Sequence, residues 1–167
     1  MKKFLLAVLL WSCFALAEWN GNRYSDSKYP VTFEIPGSWK ILLDGQHRAT
    51  AMRGDEITAV DFNIQPANKR SAEDVARDRL RAYDSWRYLA GAQLNGNERK
   101  GADSAFNVMY NRSVFQRSTA RAALVIVQEG YFVKGDMAYI FTITTDSTTW
   151  NDTKRDILQI WNSFKVN

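Results

Sequence analysis

The sequence predicts an α+β fold built on a largely antiparallel sheet. Three observations carry that expectation. Apolar residues alternate with a period of two through most of the chain, and only two stretches switch to helical spacing. The strand runs are joined mainly by short turn sequences, which suit hairpins and not the crossovers of a doubly wound parallel sheet.

In chain order, Asn20-Gly21-Asn22 and Ser25-Asp26-Ser27 are turn sequences around a short strand at Arg23-Tyr24. Val31 to Ile35 alternates apolar and polar residues; Pro30 precedes it and Pro36-Gly37 stops it. Trp39 to Leu43 begins another strand, and Asp44-Gly45 turns the chain into a third at Arg48 to Met52. After a turn at Gly54-Asp55-Glu56, Val60, Phe62 and Ile64 share one face of a strand from Ile57 to Ile64 that Pro66 ends.

Ser71 with Asp74 three residues later is a capping-box variant, in which a serine oxygen accepts from an orphan backbone N–H. Val75, Ala76, Leu80, Tyr83 and Trp86 then make one helical stripe, and Gly91, Asn95 and Gly96 mark its far side. From residue 104 the period returns to two, with Phe106, Val108 and Tyr110 on one face. Ala122 to Val133 is apolar more continuously, as a central strand is. Lys134-Gly135-Asp136 is a hairpin connector into Ala138 to Thr145, where Tyr139, Phe141 and Ile143 share a face. A closing helix from Thr149 to Phe164 is expected to bury Trp150, Ile157, Leu158, Trp161 and Phe164.

Ahead of these elements stands a different kind of segment. Met1-Lys2-Lys3 is a short positive start, Phe4 to Trp11 is apolar, and Ala15-Leu16-Ala17 offers small residues around a cut. That is the layout of a secretory signal peptide, so residues 1–17 read as a leader and 18–167 as one exported domain. The only cysteine, Cys13, lies in the leader, which leaves the mature chain without a disulfide or thiolate site. Leu10-Trp11-Ser12-Cys13 also loosely matches a lipobox, with a cut before Cys13 and lipid on it as the alternative. Without Lys2 and Lys3 the count is 20 basic against 18 acidic residues, a net charge of +2, and no nucleic-acid partner is expected.

The segment Tyr29-Pro-Val-Thr-Phe-Glu-Ile-Pro-Gly-Ser-Trp39 resembles the entry motif of the PsbP-like superfamily, where an extended aromatic stretch leads into I-P-x-x-W. The run Ile157…Ile160-Trp161-Asn162-Ser163-Phe164 is similar to that superfamily's closing helix. The resemblance implies a central, mainly antiparallel sheet of about six to seven strands flanked by helices on both faces. Members include the photosystem II extrinsic protein, a Ran-binding import factor and exported bacterial proteins. Most bind or help assemble other molecules and share no catalytic residues, so the resemblance transfers no site residue. A bacterial leader with nothing plastid-like argues against a photosystem role.

Trp39 reads as a core corner, folding its ring over the sheet end after Pro36-Gly37. His47 is the only histidine, expected in an edge strand; His-rich metal sites cannot form from one chain. No G-x-S-x-G elbow accompanies it for Ser-His-Asp chemistry. Asp44, Asp55, Glu56 and Asp61 lie near turns of adjacent strands and could converge as paired carboxylates. Asp55, Glu56 and Asp61 lack the spacing of a calcium loop. Lys69, Arg70, Arg77, Arg81 and Arg87 form a basic stripe, but Glu73, Asp78 and Asp84 interrupt it as a salt-bridged face. Asn111-Arg112-Ser113 and Asn151-Asp152-Thr153 match a glycosylation sequon by chance.

No catalytic, cofactor-binding or metal residue and no cofactor is assigned. The expectation is an exported, non-enzymatic binding or assembly module of the cell envelope, periplasmic or secreted, with a protein or small-ligand partner. A small carboxylate-based hydrolase is the runner-up. A membrane enters only if Cys13 is lipidated, giving an anchored assembly factor.

Overall fold

The computed structural model describes residues 18–45, 47–81, 87–88, 98–116 and 121–167. The first strands are β1 (Glu18–Asn20), β2 (Arg23–Ser25), β3 (Val31–Glu34), β4 (Lys40–Gly45), β5 (Arg48–Met52) and β6 (Ala59–Pro66). Helix α1 (Ala72–Arg81) and β7 (Arg87–Tyr88) follow, then β8 (Ser104–Gln116), β9 (Arg121–Lys134) and β10 (Met137–Asp146). Helix α2 (Trp150–Ser163) and β11 (Lys165–Val166) end the series. Among the described residues no helix is long and apolar enough to cross a membrane.

The fold is α+β with two antiparallel sheets. Among the described residues the larger has seven strands in the order β4-β5-β6-β10-β9-β8-β7, and the smaller has four in the order β1-β2-β3-β11. The single sheet expected from the sequence is thus corrected to two. Pro36 has no N–H to offer a ladder. Its carbonyl instead accepts from Trp39 N at 3.0 Å, so the chain turns away from β3 and re-enters as β4 in the other sheet. At the far end α2 releases an extended Phe164, and Val166 pairs with Val31.

Alternation places the core. On β10, Tyr139, Phe141 and Ile143 join a cluster with Ile157, Ile160 and Trp161 of α2, and with Tyr24 and Phe33 of the small sheet. Ala138 and Ile140, one step out of phase, join a second cluster with Val75, Ala76 and Leu80 of α1. Gly130 is small for a reason: a Cβ there would stand 2.5 Å from Phe132 Cε2 and 2.7 Å from Trp161 Cη2.

Two expectations change in detail. Leu158 is 37% exposed, and α2 buries Thr153, Ile157, Ile160 and Trp161. Ile160 lies three residues past Ile157 on the covered face, whereas Leu158 is rotated about 100° from it. Arg87 and Tyr88 pair with Asn111 and Tyr110 as an edge strand, not as a continuation of α1. Tyr83 and Trp86 of the expected stripe lie outside the described residues.

Gly101 ties the ends of the fold together. Its φ is +90°, and a Cβ would fall 1.8 Å from the Val166 carbonyl oxygen. Lys100 O accepts from Val166 N at 2.7 Å, so the two backbones are already in contact. Gly101→Ala is expected to destabilise the protein by about 2–3 kcal/mol, from the left-handed backbone cost and the overpacking. Urea unfolding measures it, and a midpoint equal to wild type would refute the contact.

Candidate functional site

One face of the large sheet carries a cleft of about 310 Å³ beside α1. The ladder shows how it is made. Glu129 of β9, Thr142 of β10, Asp61 of β6 and Thr50 of β5 stand directly opposite one another in a single row. Residues paired across an antiparallel ladder point to the same side. The row above it holds Val127 and Thr144; beyond that come Val125 and Arg112. Helix α1 contributes Arg79, and Arg48 enters from the β5 side.

Glu129 is the centre of this arrangement, a carboxylate only 1% exposed. Tyr131 Oη donates to its Oε2 at 2.5 Å, and Thr142 Oγ1 donates to Oε1 at 3.3 Å. The Arg79 guanidinium forms an ion pair with Oε1 at 3.3 Å. Burial, then the Glu129 charge and hydrogen bond, push the Tyr131 hydroxyl far above the ordinary tyrosine range, so Tyr131 remains a donor. Asp61 is exposed on its strand and accepts from Thr50 Oγ1 at 2.7 Å.

Of the three named acids whose side chains are described, only Asp61 lines this cleft. Asp55 is spent on its own turn: it accepts from Ile57 N at 3.0 Å, Thr58 N at 2.8 Å and Thr58 Oγ1 at 2.8 Å. Glu56 is exposed in the same turn with φ +59°. Asp44 stands opposite Ala49 in the β4–β5 ladder, and its side chain lies outside the described residues.

Partial burial alone would raise the Asp55 pKa, yet the hydrogen bonds from Thr58 and Ile57 and the Arg53 charge outweigh it, and the carboxyl sits below the usual aspartate value. The ionised form therefore stabilises the fold. That contribution is complete above the unfolded value of about 4 and is lost as pH falls through the lower folded value. Asp55→Asn is expected to be less stable than wild type at pH 6, with the gap closing in acid. Urea midpoints across pH measure this, and a gap that widens below pH 4 would contradict it.

His47 is not in an edge strand: it precedes β5, which lies between β4 and β6. Its Nδ1 is 3.0 Å from Asp26 Oδ2, and Tyr29 packs edge-on at 4.6 Å between centroids. The Asp26 side chain is 1% exposed and accepts from Lys28 N and Tyr29 N, each at 2.9 Å. This pair staples the small sheet's turn to the β4–β5 hairpin. Trp39 is 6% exposed in the α2-side core, as the corner reading expects.

The basic stripe is salt-bridged. Arg77 meets Glu73 at 2.6 Å, Arg70 meets Asp78 at 2.7 Å, and Arg81 lies 3.6 Å from Asp78. Asp84 lies outside the described residues, as does the side chain of Arg87. No group of three His, Cys, Asp or Glu side chains placed to hold a metal ion occurs among the described residues.

The α+β fold described above is shared with solved structures of low sequence identity. Among solved structures the chain is similar to the Ran-binding protein Mog1p of Saccharomyces cerevisiae, with a TM-score of 0.52 at 10% identity, over 89% of this chain and 96% of that one. It is also similar to a Bacteroides thetaiotaomicron structure, with a TM-score of 0.56 at 11% identity over 88% of this chain; the chain spans 48% of that protein's length. Cyanobacterial PsbP from Synechocystis aligns over 97% of this chain and 99% of its own, at 13% identity and a TM-score of 0.49. No protein-family model and no curated protein matches the sequence.

Proposed function

We propose that this chain is a binding or assembly module of the cell envelope, non-enzymatic, that engages its partner through the cleft beside α1. Residues 1–17 act as its export leader and 18–167 form the working domain, with one helix on either face of the large sheet. The two core clusters support that placement, because they use alternate residues of β10.

The observation that carries the reading is the state of the cleft's acids. Glu129 is already engaged by Tyr131, Thr142 and Arg79, and Asp61 by Thr50. The site thus presents a fixed pattern of polar groups, which suits recognition. The Ran-binding name of the structurally similar Mog1p supports a protein as the partner class.

Thr144→Arg, which fills the cleft floor, is expected to abolish capture of the envelope partner that wild type retains, with the circular dichroism spectrum unchanged. Equal capture by both proteins would remove the cleft from the reading. Intact mass of the processed protein, beginning at Glu18 or Cys13, separates the free module from a lipid-anchored one.

A second reading has one observation of its own. Asp61 and Glu129 flank Thr142, two strands apart on the same face, about 10 Å between Cα atoms. An inverting glycosidase needs two carboxyls about 6.5–9.5 Å apart. Turnover of an envelope polysaccharide that Asp61→Asn and Glu129→Gln each abolish would establish that chemistry in place of binding.

A further inference from the structure

The cleft's polar groups fall into two sets. On the α1 side they are spent within the protein: Glu129 holds Tyr131, Thr142 and Arg79, and Arg112 is likewise engaged. On the β5–β6 side they are open. Arg48 and Asp61 are exposed there, and both line the cleft together with the half-buried Asn63. In the ladder Arg48 stands opposite Asn63, and Thr50 opposite Asp61. Arg48 and Asp61 are therefore diagonal neighbours on one face, with Cα atoms about 7–8 Å apart. Among the described residues no ion pair joins them, and neither the Arg48 guanidinium nor the Asn63 amide has a protein partner. Asp61 accepts from Thr50 Oγ1 through Oδ1 at 2.7 Å, which leaves Oδ2 without a protein partner.

This open set is balanced in charge, one cation against one anion. A lone anion drawn to Arg48 is repelled by Asp61, and a lone cation drawn to Asp61 is repelled by Arg48. A ligand that carries both charges satisfies both groups. A guanidinium fork matches a carboxylate in geometry, and a carboxylate oxygen accepts a charge-assisted hydrogen bond from an ammonium. The Asn63 amide, opposite Arg48, offers a donor and an acceptor to the ligand's body. The cleft's volume of about 310 Å³ is at the small end of ligand pockets and admits a molecule of amino-acid size.

We propose that the cleft binds a small zwitterion of the amino-acid type, its carboxylate on Arg48 and its ammonium on Asp61. The inference rests on the binding reading above and names the chemistry that meets the β5–β6 side of the cleft. A free amino acid and an adjacent lysine–carboxylate pair on a protein surface share that chemistry.

The test uses the purified protein and amide NMR titrations with glycine, β-alanine, acetate, ethylamine and glycerol. Glycine or β-alanine is expected to shift the amides of Thr50, Asp61 and Asn63 and to saturate. Arg48→Gln and Asp61→Asn are each expected to weaken that binding roughly tenfold, as loss of one charged hydrogen bond does. Lys154→Gln, on the exposed side of α2, is the control and leaves it unchanged.

Acetate binding as well as the zwitterions would overturn the ammonium contact, and ethylamine binding as well would overturn the carboxylate contact. Glycerol binding as well would overturn charged recognition altogether. If both zwitterions fail to bind while Thr144→Arg still blocks partner capture, this inference falls and the binding reading stands. If a zwitterion binds there while capture ignores the cleft, the inference holds and the partner-docking role of the cleft fails. Where one binds, displacement of the partner by the saturating zwitterion identifies a pair on a protein as the natural ligand. Capture that the zwitterion leaves unchanged identifies a free amino acid.

Discussion

Phe33→Ala is expected to destabilise the protein by about 3–5 kcal/mol, the range for emptying a buried phenylalanine site. Phe33 is 1% exposed, and its ring is where the two sheets meet. Tyr24 stacks on it at 4.9 Å, and Phe141 meets it at 5.0 Å and 61°. Trp19 and Phe62 approach edge-on at 5.4 and 5.6 Å. Those neighbours come from β1, β2, β6 and β10, so the site is framed by ladders that cannot collapse into the void. Phe33→Leu keeps most of the volume and is expected to cost less than half as much. Urea unfolding of both variants decides it, and an alanine variant within 1 kcal/mol of wild type would show that the sheets do not depend on this contact.

Glu129→Ala is expected to cost a similar amount, about 3–5 kcal/mol, for a different reason. The change removes the buried acceptor of the Tyr131 hydroxyl and of Thr142, and with it the carboxylate end of the ion pair with Arg79. The Arg79–Glu129 ion pair is lost in either single change, so Arg79→Ala added to Glu129→Ala should cost less than the sum of the two. Strict additivity in that double-mutant cycle would mean that the two groups do not interact. Because Glu129 also shapes the cleft, its alanine variant is a probe of stability and not of binding.

The fold was legible where chemistry repeats over short distances. Lys134-Gly135-Asp136 marks its hairpin, and the Ser71 and Asp74 groups bond each other at 3.2 Å in both directions, as a capping box does. Lys165-Val166 was not legible, because two residues carry no period; β11 exists only because β3 offers it an edge. Nor was the division into two sheets, which depends on where the chain goes after Pro36. In the cleft, Asp61 was visible as a candidate acid, while Glu129 was hidden in the apolar run from Ala122 to Val133. The available signal was its phase: an acid in step with Val125, Val127 and Tyr131 must face what they face. Arg79 and the Asp26–His47 pair depend on contacts between distant segments, which no local pattern announces.

The pairing of Val31 with Val166 has a consequence for time as well as for shape. Val31 and its partner Val166 are 135 residues apart, so the outer neighbour of β3 is made long after β3 itself. Until residue 166 is available, the β3 edge keeps open backbone groups, and an open edge recruits whatever strand comes near. Closing so long a loop is also a slow step compared with forming a local hairpin. The β3–β11 edge is therefore expected to close after the local β1-β2-β3 pairings, and pulse-labelled hydrogen exchange at Val31 and Val166 measures that order.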